Sequence, residues 1–199
     1  KFGKGFGVAT YYNEKKFKLI DTHALKVGFN LSELLFAIPQ LILRINKPKT
    51  ILRTDFTCKA NNKRIVIYNS HLIVVASNAI RVKHINKALD SLNNLEIPLI
   101  IAGDFNYLPY QRKRLDNIMK KYNLVEATKN IRQTVDFSPQ GKKEKFSFLQ
   151  GFFIRKISHF FGNQMKNDYI YYRGIEFVKT ERIEVRFSDH YPIISYFSL

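Results

Sequence analysis

The sequence is poor in sulfur-containing and acidic residues. It contains one cysteine, two methionines and no tryptophan among 199 residues. The single Cys58 excludes an internal disulfide bond and a zinc site built on cysteine pairs. Only 16 Asp and Glu stand against 33 Lys and Arg. The longest apolar run, residues 34–45, is too short to cross a bilayer and contains Pro39. These shortages exclude a disulfide-stapled scaffold and leave a strongly basic chain.

The formal net charge of +17 is the most unusual property of the composition. Such an excess favours a polyanionic partner, either nucleic acid, an anionic membrane surface or a phosphorylated substrate. The alternative is a genome-wide preference for lysine and asparagine, with the charge simply solvated. The oligomeric state is left open. No signal peptide is visible and the chain begins at Lys1, so we expect a segment upstream and a cytoplasmic or membrane-peripheral location.

The pattern of apolar residues predicts one mixed α/β domain over residues 1–199, because no repeat or linker divides it. A helix is predicted after Ser77, a second beginning at Pro109, and a third at residues 31–45. Predicted strands occupy residues 6–12, 17–25, 50–57, 63–72, 97–103, 168–173, 182–187 and 192–197.

Polar clusters lie at the ends of several predicted strands. They are "YNSHL" (68–72), "AGDFN" (102–106) and "FSDHYP" (187–192), and a fourth, "NDYIYY" (167–172), begins a strand. Sites in α/β folds are commonly built where strands end. Taken singly, each cluster is weak evidence for a site. A lone histidine after a strand is more often a hydrogen-bonded structural residue, and an Asp followed by an Asn at a strand end is most often part of a turn.

Together and in this order, the clusters resemble the endonuclease/exonuclease/phosphatase superfamily, which includes DNase I-like nucleases, sphingomyelinases and inositol polyphosphate phosphatases. "GDFN" and "SDH.P" are both intact, and "NSHL" precedes the first by a helix and a strand. The resemblance implies a DNase I-like four-layer α/β sandwich, with two packed mixed sheets flanked by helices. It also implies hydrolysis of phosphate esters that depends on Mg²⁺ or Mn²⁺.

The resemblance implies a role for each matching residue. Asp104 would orient or deprotonate the attacking water, and Asn106 would hold that carboxylate or a phosphate oxygen. His71 would contact the scissile phosphate or protonate the leaving oxygen. Asp189, together with Asp104, would hold the metal ion, and His190, paired with Asp168, would act as a base or as a charged hydrogen-bond donor to phosphate. These groups match what water attack on a phosphodiester requires.

The sequence departs from the family pattern at its N-terminal end. The family's early strands carry an Asn and then a Gln-Glu pair whose Glu binds the metal, and neither Glu14 nor Glu33 follows an apolar strand. We expect that the N-terminal part of the family domain is missing from this chain. A naturally shortened, degenerate member is the alternative.

The substrate is left open among three readings. Basic residues 111–114 and 141–146 favour nucleic acid. Two apolar and partly basic segments, residues 34–45 and 146–162, favour a phospholipid surface as the alternative, as in the sphingomyelinase branch. The missing Glu favours a third reading, a module that binds nucleic acid or membrane without cutting.

Overall fold

The structure is a computed structural model and describes residues 7–25, 50–92, 96–136, 159, 165–185 and 188–199. The third predicted helix, at residues 31–45, the basic run 141–146 and the aromatic segment 146–162 lie outside these residues, apart from His159.

A six-stranded mixed sheet is the framework of the described fold. Its strands lie in the order β1-β2-β3-β4-β6-β5. All neighbours are antiparallel except β3 and β4, which are parallel. The strands are β1 (Phe17–Leu25), β2 (Thr50–Cys58), β3 (Arg64–His71), β4 (Leu99–Asp104), β5 (Val125–Glu126) and β6 (Asp168–Arg173).

Two helices cover one face of this sheet. The first, α1 (Asn78–Asp90), forms the crossover between the parallel strands β3 and β4, and α2 (Arg112–Lys121) follows β4. As predicted, Ser77 caps α1, and its hydroxyl accepts a hydrogen bond from the N–H of Ile80. Ile85 and Leu89 of α1 are fully buried in the same core cluster as the strand residues. Neither helix is long and apolar enough to span a membrane, and among the described residues no other helix could.

A second, two-stranded sheet covers the opposite face. It consists of β7 (Glu176–Arg182) and β8 (Ile193–Ser198), which pair antiparallel. Tyr172 of β6 packs on Phe177 and Phe197, at ring-centroid distances of 5.6 and 5.2 Å. The described residues therefore form three layers, with the larger sheet between the helices and the smaller sheet.

The mixed α/β prediction is confirmed, whereas several boundaries are wrong. Residues 7–13 form no strand. Pro109 does not begin α2, which starts at Arg112 after Gln111 adopts a left-handed conformation. The strand expected at 182–187 lies earlier, at Glu176–Arg182, because it pairs with β8 in the register Glu176 to Ser198. Phe177 and Val178 are adjacent and both exposed, so this strand lacks the alternation of apolar and polar residues by which strands are predicted.

Candidate active site

The register of three adjacent strands brings three candidate residues into one row. His71 at the end of β3 lies opposite Asp104 at the end of β4. Asp104 lies opposite Asp168 at the start of the antiparallel β6. Because side chains alternate between the faces of a strand, all three lie on the face away from the helices, towards the smaller sheet.

Gly103 permits the close approach of the strands that form this row. Its φ of +134° lies in a region that favours glycine, and a Cβ at this position would come within 2.0 Å of the carbonyl oxygen of Ser70. The glycine of the "GDFN" motif therefore has a steric role. It sets Asp104 beside His71 across the β3–β4 pair.

His190 completes a chain of alternating histidines and carboxylates. Its Nδ1 donates to Oδ2 of Asp168 at 2.8 Å, and its Nε2 lies 3.8 Å from Oδ2 of Asp104. Nε2 of His71 lies 3.9 Å from the same Asp104 oxygen. We call His71, Asp104, Asp168 and His190 the catalytic row, because all four are among the residues that the sequence predicts to be catalytic. In this row Asp104 stands between two imidazoles, and Asp168 fixes the orientation of the second.

Residues Thr134–Asp136 hold the two halves of the catalytic row together. The hydroxyl of Thr134 accepts hydrogen bonds from the N–H groups of Asn167 and Asp168, each at 3.0 Å. Val135 forms a β-bridge with His190, and the N–H of Asp136 donates to the carbonyl of Asp189 at 2.7 Å. We call these three residues the clip, because they join the start of β6 to the loop that carries His190.

Asn106 supports Asp104 through its backbone. It adopts a left-handed conformation with φ 48°, which asparagine tolerates better than most residues. Its N–H donates to Oδ1 of Asp104 at 2.8 Å, and its side-chain amide donates to the carbonyl of Leu72 at 2.9 Å. The amide nitrogen thus ties the end of β4 to the end of β3.

A buried arginine supports the loops beneath the row. Arg81 on α1 is 1% exposed, and its guanidinium donates to the carbonyls of Ile73 and Val74 and to Oδ1 of Asn78. Asn78 in turn donates to the carbonyls of Leu108 and Tyr110, at 3.0 and 2.7 Å. The first turn of α1 therefore fixes the loops that follow both β3 and β4.

The electrostatics of the row differ from those of isolated side chains. Burial, followed by the negative charge of Asp168, raises the pKa of Asp104 to about 7, and the charges of His190 and Arg81 oppose this rise. Burial disfavours the imidazolium of His190. The hydrogen bond that its Nδ1–H donates to Asp168 and the charges of Asp168 and Asp104 outweigh the effect of burial, and they raise the pKa of His190 to about 9.

Asp189 stands apart from the direct contacts of the row. Its Oδ1 accepts a hydrogen bond from the hydroxyl of Ser188 at 3.0 Å, and its charge contributes to the raised pKa of the adjacent His190. Carboxylates suit Mg²⁺ in donor type. Among the residues that the structure describes, however, no three His, Cys, Asp or Glu side chains form a group that could hold a metal ion. Asp104 and Asp189 have donor atoms of the right type, and their binding of a metal ion stays a prediction.

Sequence reasoning missed Arg81, Asn78 and the clip. One signal was present for Arg81, because it lies three residues before His84 and four before Ile85, on the buried stripe of α1. A charged residue in such a stripe indicates a structural or functional partner. No comparable signal marks Thr134, since its partners are backbone N–H groups more than 30 residues away.

The fold is DNase I-like, the fold of the endonuclease/exonuclease/phosphatase superfamily. A Bacteroides vulgatus protein of that superfamily aligns with a TM-score of 0.62 at 19% identity, over 94% of this chain and 68% of its own. The Bacteroides thetaiotaomicron mannosyl-6-phosphatase aligns with a TM-score of 0.61 at 15% identity, over 94% of this chain and 69% of its own. TDP2 of D. rerio, complexed with a single-strand DNA product, aligns with a TM-score of 0.61 at 12% identity, over 94% of this chain and 70% of its own. At these identities the likeness establishes the fold, and it confirms the DNase I-like fold implied by the sequence motifs. Among the described residues there are three layers and the smaller sheet is antiparallel, so the fourth layer and a second mixed sheet stay predictions.

Two curated relatives are UPF0294 proteins from two strains of Vibrio vulnificus. Each is 25% identical over 189 residues, which is 92% of this chain. The chain spans only 57% of the length of these relatives. No protein-family model matches the sequence.

Proposed function

We propose that this chain carries the catalytic row of a phosphoesterase that hydrolyses nucleic acid by attack of an activated water. The observation that carries the proposal is the arrangement of His190 between Asp168, at 2.8 Å, and Asp104, at 3.8 Å, with His71 on the other side of Asp104. A fold shared with a phosphatase and with a DNA-bound protein supports phosphate-ester chemistry in general.

Each member of the row has a place in that reaction. Asp104 orients the attacking water and takes its proton as the oxygen bonds to phosphorus. His190, with Nδ1 held by Asp168, directs Nε2 towards a phosphate oxygen. His71 contacts the same phosphate or supplies a proton to the oxygen that leaves when the P–O ester bond breaks. Preorganised donors of this kind stabilise the charge that develops in phosphoryl transfer.

Asp104 and Asp189 would hold a divalent cation, Mg²⁺ or Mn²⁺, with a further ligand from outside the described residues. When bound, such an ion neutralises phosphate charge. The activity, substrate and metal requirement of the whole protein form part of the proposal.

Nucleic acid is the substrate that the composition favours, because the net charge of the full sequence is +17. The phospholipid alternative depends on residues 34–45 and 146–162, which lie almost wholly outside the described residues. It therefore becomes one arm of the test. A protein that binds but does not cut is the other alternative.

The test is a hydrolysis assay on the full-length gene product and on this 199-residue chain. Plasmid DNA, RNA, sphingomyelin liposomes and a sugar phosphate are compared with Mg²⁺, with Mn²⁺ and with a chelator. We expect metal-dependent cleavage of nucleic acid that is lost in Asp189→Ala. Cleavage of only the liposomes or the sugar phosphate would overturn the substrate assignment, and full activity in chelator would overturn the metal assignment. Silence of the full-length protein on every substrate would overturn the enzyme assignment.

A further inference from the structure

A basic groove lies between α2 and β5, on the helix side of the large sheet. Its volume is about 1070 Å³, and its lining includes five cations and two carboxylates. The cations are Arg112, Lys120, Lys129, Arg132 and Lys166, and the carboxylates are Asp116 and Glu126. We call this surface the basic groove. None of its lining residues belongs to the catalytic row.

The floor of the groove is internally neutralised. The carboxylate of Glu126 accepts a hydrogen bond from Nζ of Lys166 at 2.6 Å and another from the guanidinium of Arg112. Arg112 also donates to Asp116 at 2.8 Å and to the hydroxyl of Tyr171 at 2.9 Å. Although burial opposes its ionisation, Glu126 has a pKa below its usual value because of Lys166 and Arg112. Both acids of the groove therefore have cationic partners and need none from a ligand.

The rim of the groove differs from its floor. Lys120, Lys129 and Arg132 are exposed, and none of them forms an ion pair or side-chain hydrogen bond within the described part of the chain. Three cations that have no partner among the described residues, around a neutralised floor, give this part of the groove a positive surface. Tyr171, the aromatic residue among the described lining residues, is only 2% exposed, so these residues offer phosphate contacts but no surface on which a base could stack.

The groove and the catalytic row lie on opposite faces of the large sheet, and two short chain segments connect them. Lys166 is two residues before Asp168, and Arg132 is three residues before Val135, which bridges to His190. Three residues of extended chain span at most about 10 Å. One end of the groove therefore lies within a distance of the row that a short oligonucleotide covers.

We propose that the basic groove binds the phosphodiester backbone of single-stranded nucleic acid, on the portion of the strand beyond the position of cleavage. The inference rests on the proposed function for its choice of substrate. It adds a second binding surface, with Lys120, Lys129 and Arg132 as the residues that contact phosphate. Because the contacts are to phosphates and not to bases, binding is independent of sequence and strongly dependent on salt.

The test compares two variants that lose the same charge. K120Q/K129Q/R132Q removes the rim of the groove. K18Q/K59Q/K63Q removes three exposed lysines whose ammonium groups form no hydrogen bond or ion pair with a described residue, near the β1 edge at the far side of the sheet. Binding of a fluorescent single-stranded dodecanucleotide is measured by anisotropy in chelator over a range of salt concentrations, so that no turnover is needed.

We expect the groove variant to have a smaller salt dependence, with the slope of the logarithm of the binding constant against the logarithm of the salt concentration lower in magnitude by about 2. This follows because each phosphate contact to a single strand contributes roughly 0.7 to the slope, and three contacts are lost. The control variant should change it little. In the unmodified protein, bound oligonucleotide should protect Lys120 and Lys129 from acylation, and leave Lys18 and Lys59 reactive.

Equal losses in the two variants would overturn the proposal, because net charge alone would then explain binding. The proposal would also be overturned if the groove variant lost binding to phosphatidylserine vesicles while its oligonucleotide binding was unchanged. The outcome is separable from that of the proposed function. If the protein hydrolyses no substrate but the groove variant loses oligonucleotide binding, the proposed enzyme activity is wrong and the proposed binding groove is supported. If the protein is an active nuclease and the groove variant binds oligonucleotide like the control variant, the activity is supported and the binding groove is wrong.

Discussion

The catalytic row and the basic groove use the two faces of the same strand in opposite ways. On β6, Asp168 points towards the smaller sheet and holds His190, whereas Tyr169 and Tyr171 point towards the helices and contact Arg112. In the row, burial and the charge of Asp168 raise the pKa of Asp104, while in the groove two cations lower that of Glu126. Unbalanced charge is costly to bury and typical of a reactive site, whereas balanced charge is typical of a structural one.

The largest expected effect comes from Gly103→Ala, which breaks the row without removing any of its side chains. The new Cβ would lie 2.0 Å from the backbone oxygen of Ser70, so β3 and β4 must separate. We expect a loss of at least about 3 kcal/mol in the free energy of unfolding, together with loss of activity. Urea unfolding measures the first and hydrolysis the second.

Gly7→Ala is the matched control for that substitution, because nothing lies within 4 Å of a Cβ built at Gly7. It should leave both the urea midpoint and hydrolysis unchanged. If Gly103→Ala unfolds at the same urea concentration as the control, the steric role assigned to Gly103 is wrong.

The next effect, on activity alone, comes from His190→Ala. In a preparation that hydrolyses nucleic acid, we expect kcat to fall roughly 10²–10⁴-fold, the usual contribution of a positioned acid–base or hydrogen-bonding group. The fold should persist, since His190 is at the open edge and is about a third exposed. His23→Ala on β1 is the control, because His23 is exposed and pairs only with Asp21 among described side chains. Near-full turnover in His190→Ala would remove His190 from the mechanism.

The sequence predicted the catalytic row better than what supports it. Motifs carried by neighbouring residues, such as Asp104 with Asn106, are visible in one strand end, and the register of β3, β4 and β6 then brings them together. Thr134 acts on Asn167 and Asp168 from more than 30 residues away, through backbone groups that every residue has. Such a contact leaves no local pattern, and it exists only once the chain has folded.

The same reason explains the strands that were misplaced. β5 consists of Val125 and Glu126, too short to show alternation, and it exists because Val125 pairs with Tyr172. By contrast β6, where buried and half-buried residues alternate, was predicted to the residue at 168–173. Local periodicity identified β6, whereas tertiary pairing decided the presence of β5 and the position of β7.

A smaller effect, on stability and geometry together, is expected for Arg81→Met. The substitution keeps most of the apolar volume but leaves the carbonyls of Ile73 and Val74 without their donors. We expect the free energy of unfolding to fall by about 2–3 kcal/mol, since these are hydrogen bonds from a charged group to buried acceptors. Arg64→Met, at an exposed side chain, is the control. Equal urea midpoints for the two variants would show that Arg81 does not hold the loops beneath the row.

The smallest expected effect is on the stability of the groove, where the charges are balanced, unlike those of the row. The pKa of Glu126 is held below its usual value of 4.5, so its ion pairs stabilise the fold above that pH and this contribution disappears as the pH falls through the lower, folded-state value. Glu126→Gln keeps the shape but loses the charge. We therefore expect the variant to be less stable than the unmodified protein by about 1–2 kcal/mol at pH 7, a difference that shrinks steadily below pH 4.5. Urea unfolding at several pH values measures it. A difference that stays constant down to acid pH would mean that hydrogen bonding, and not charge, stabilises the floor of the groove.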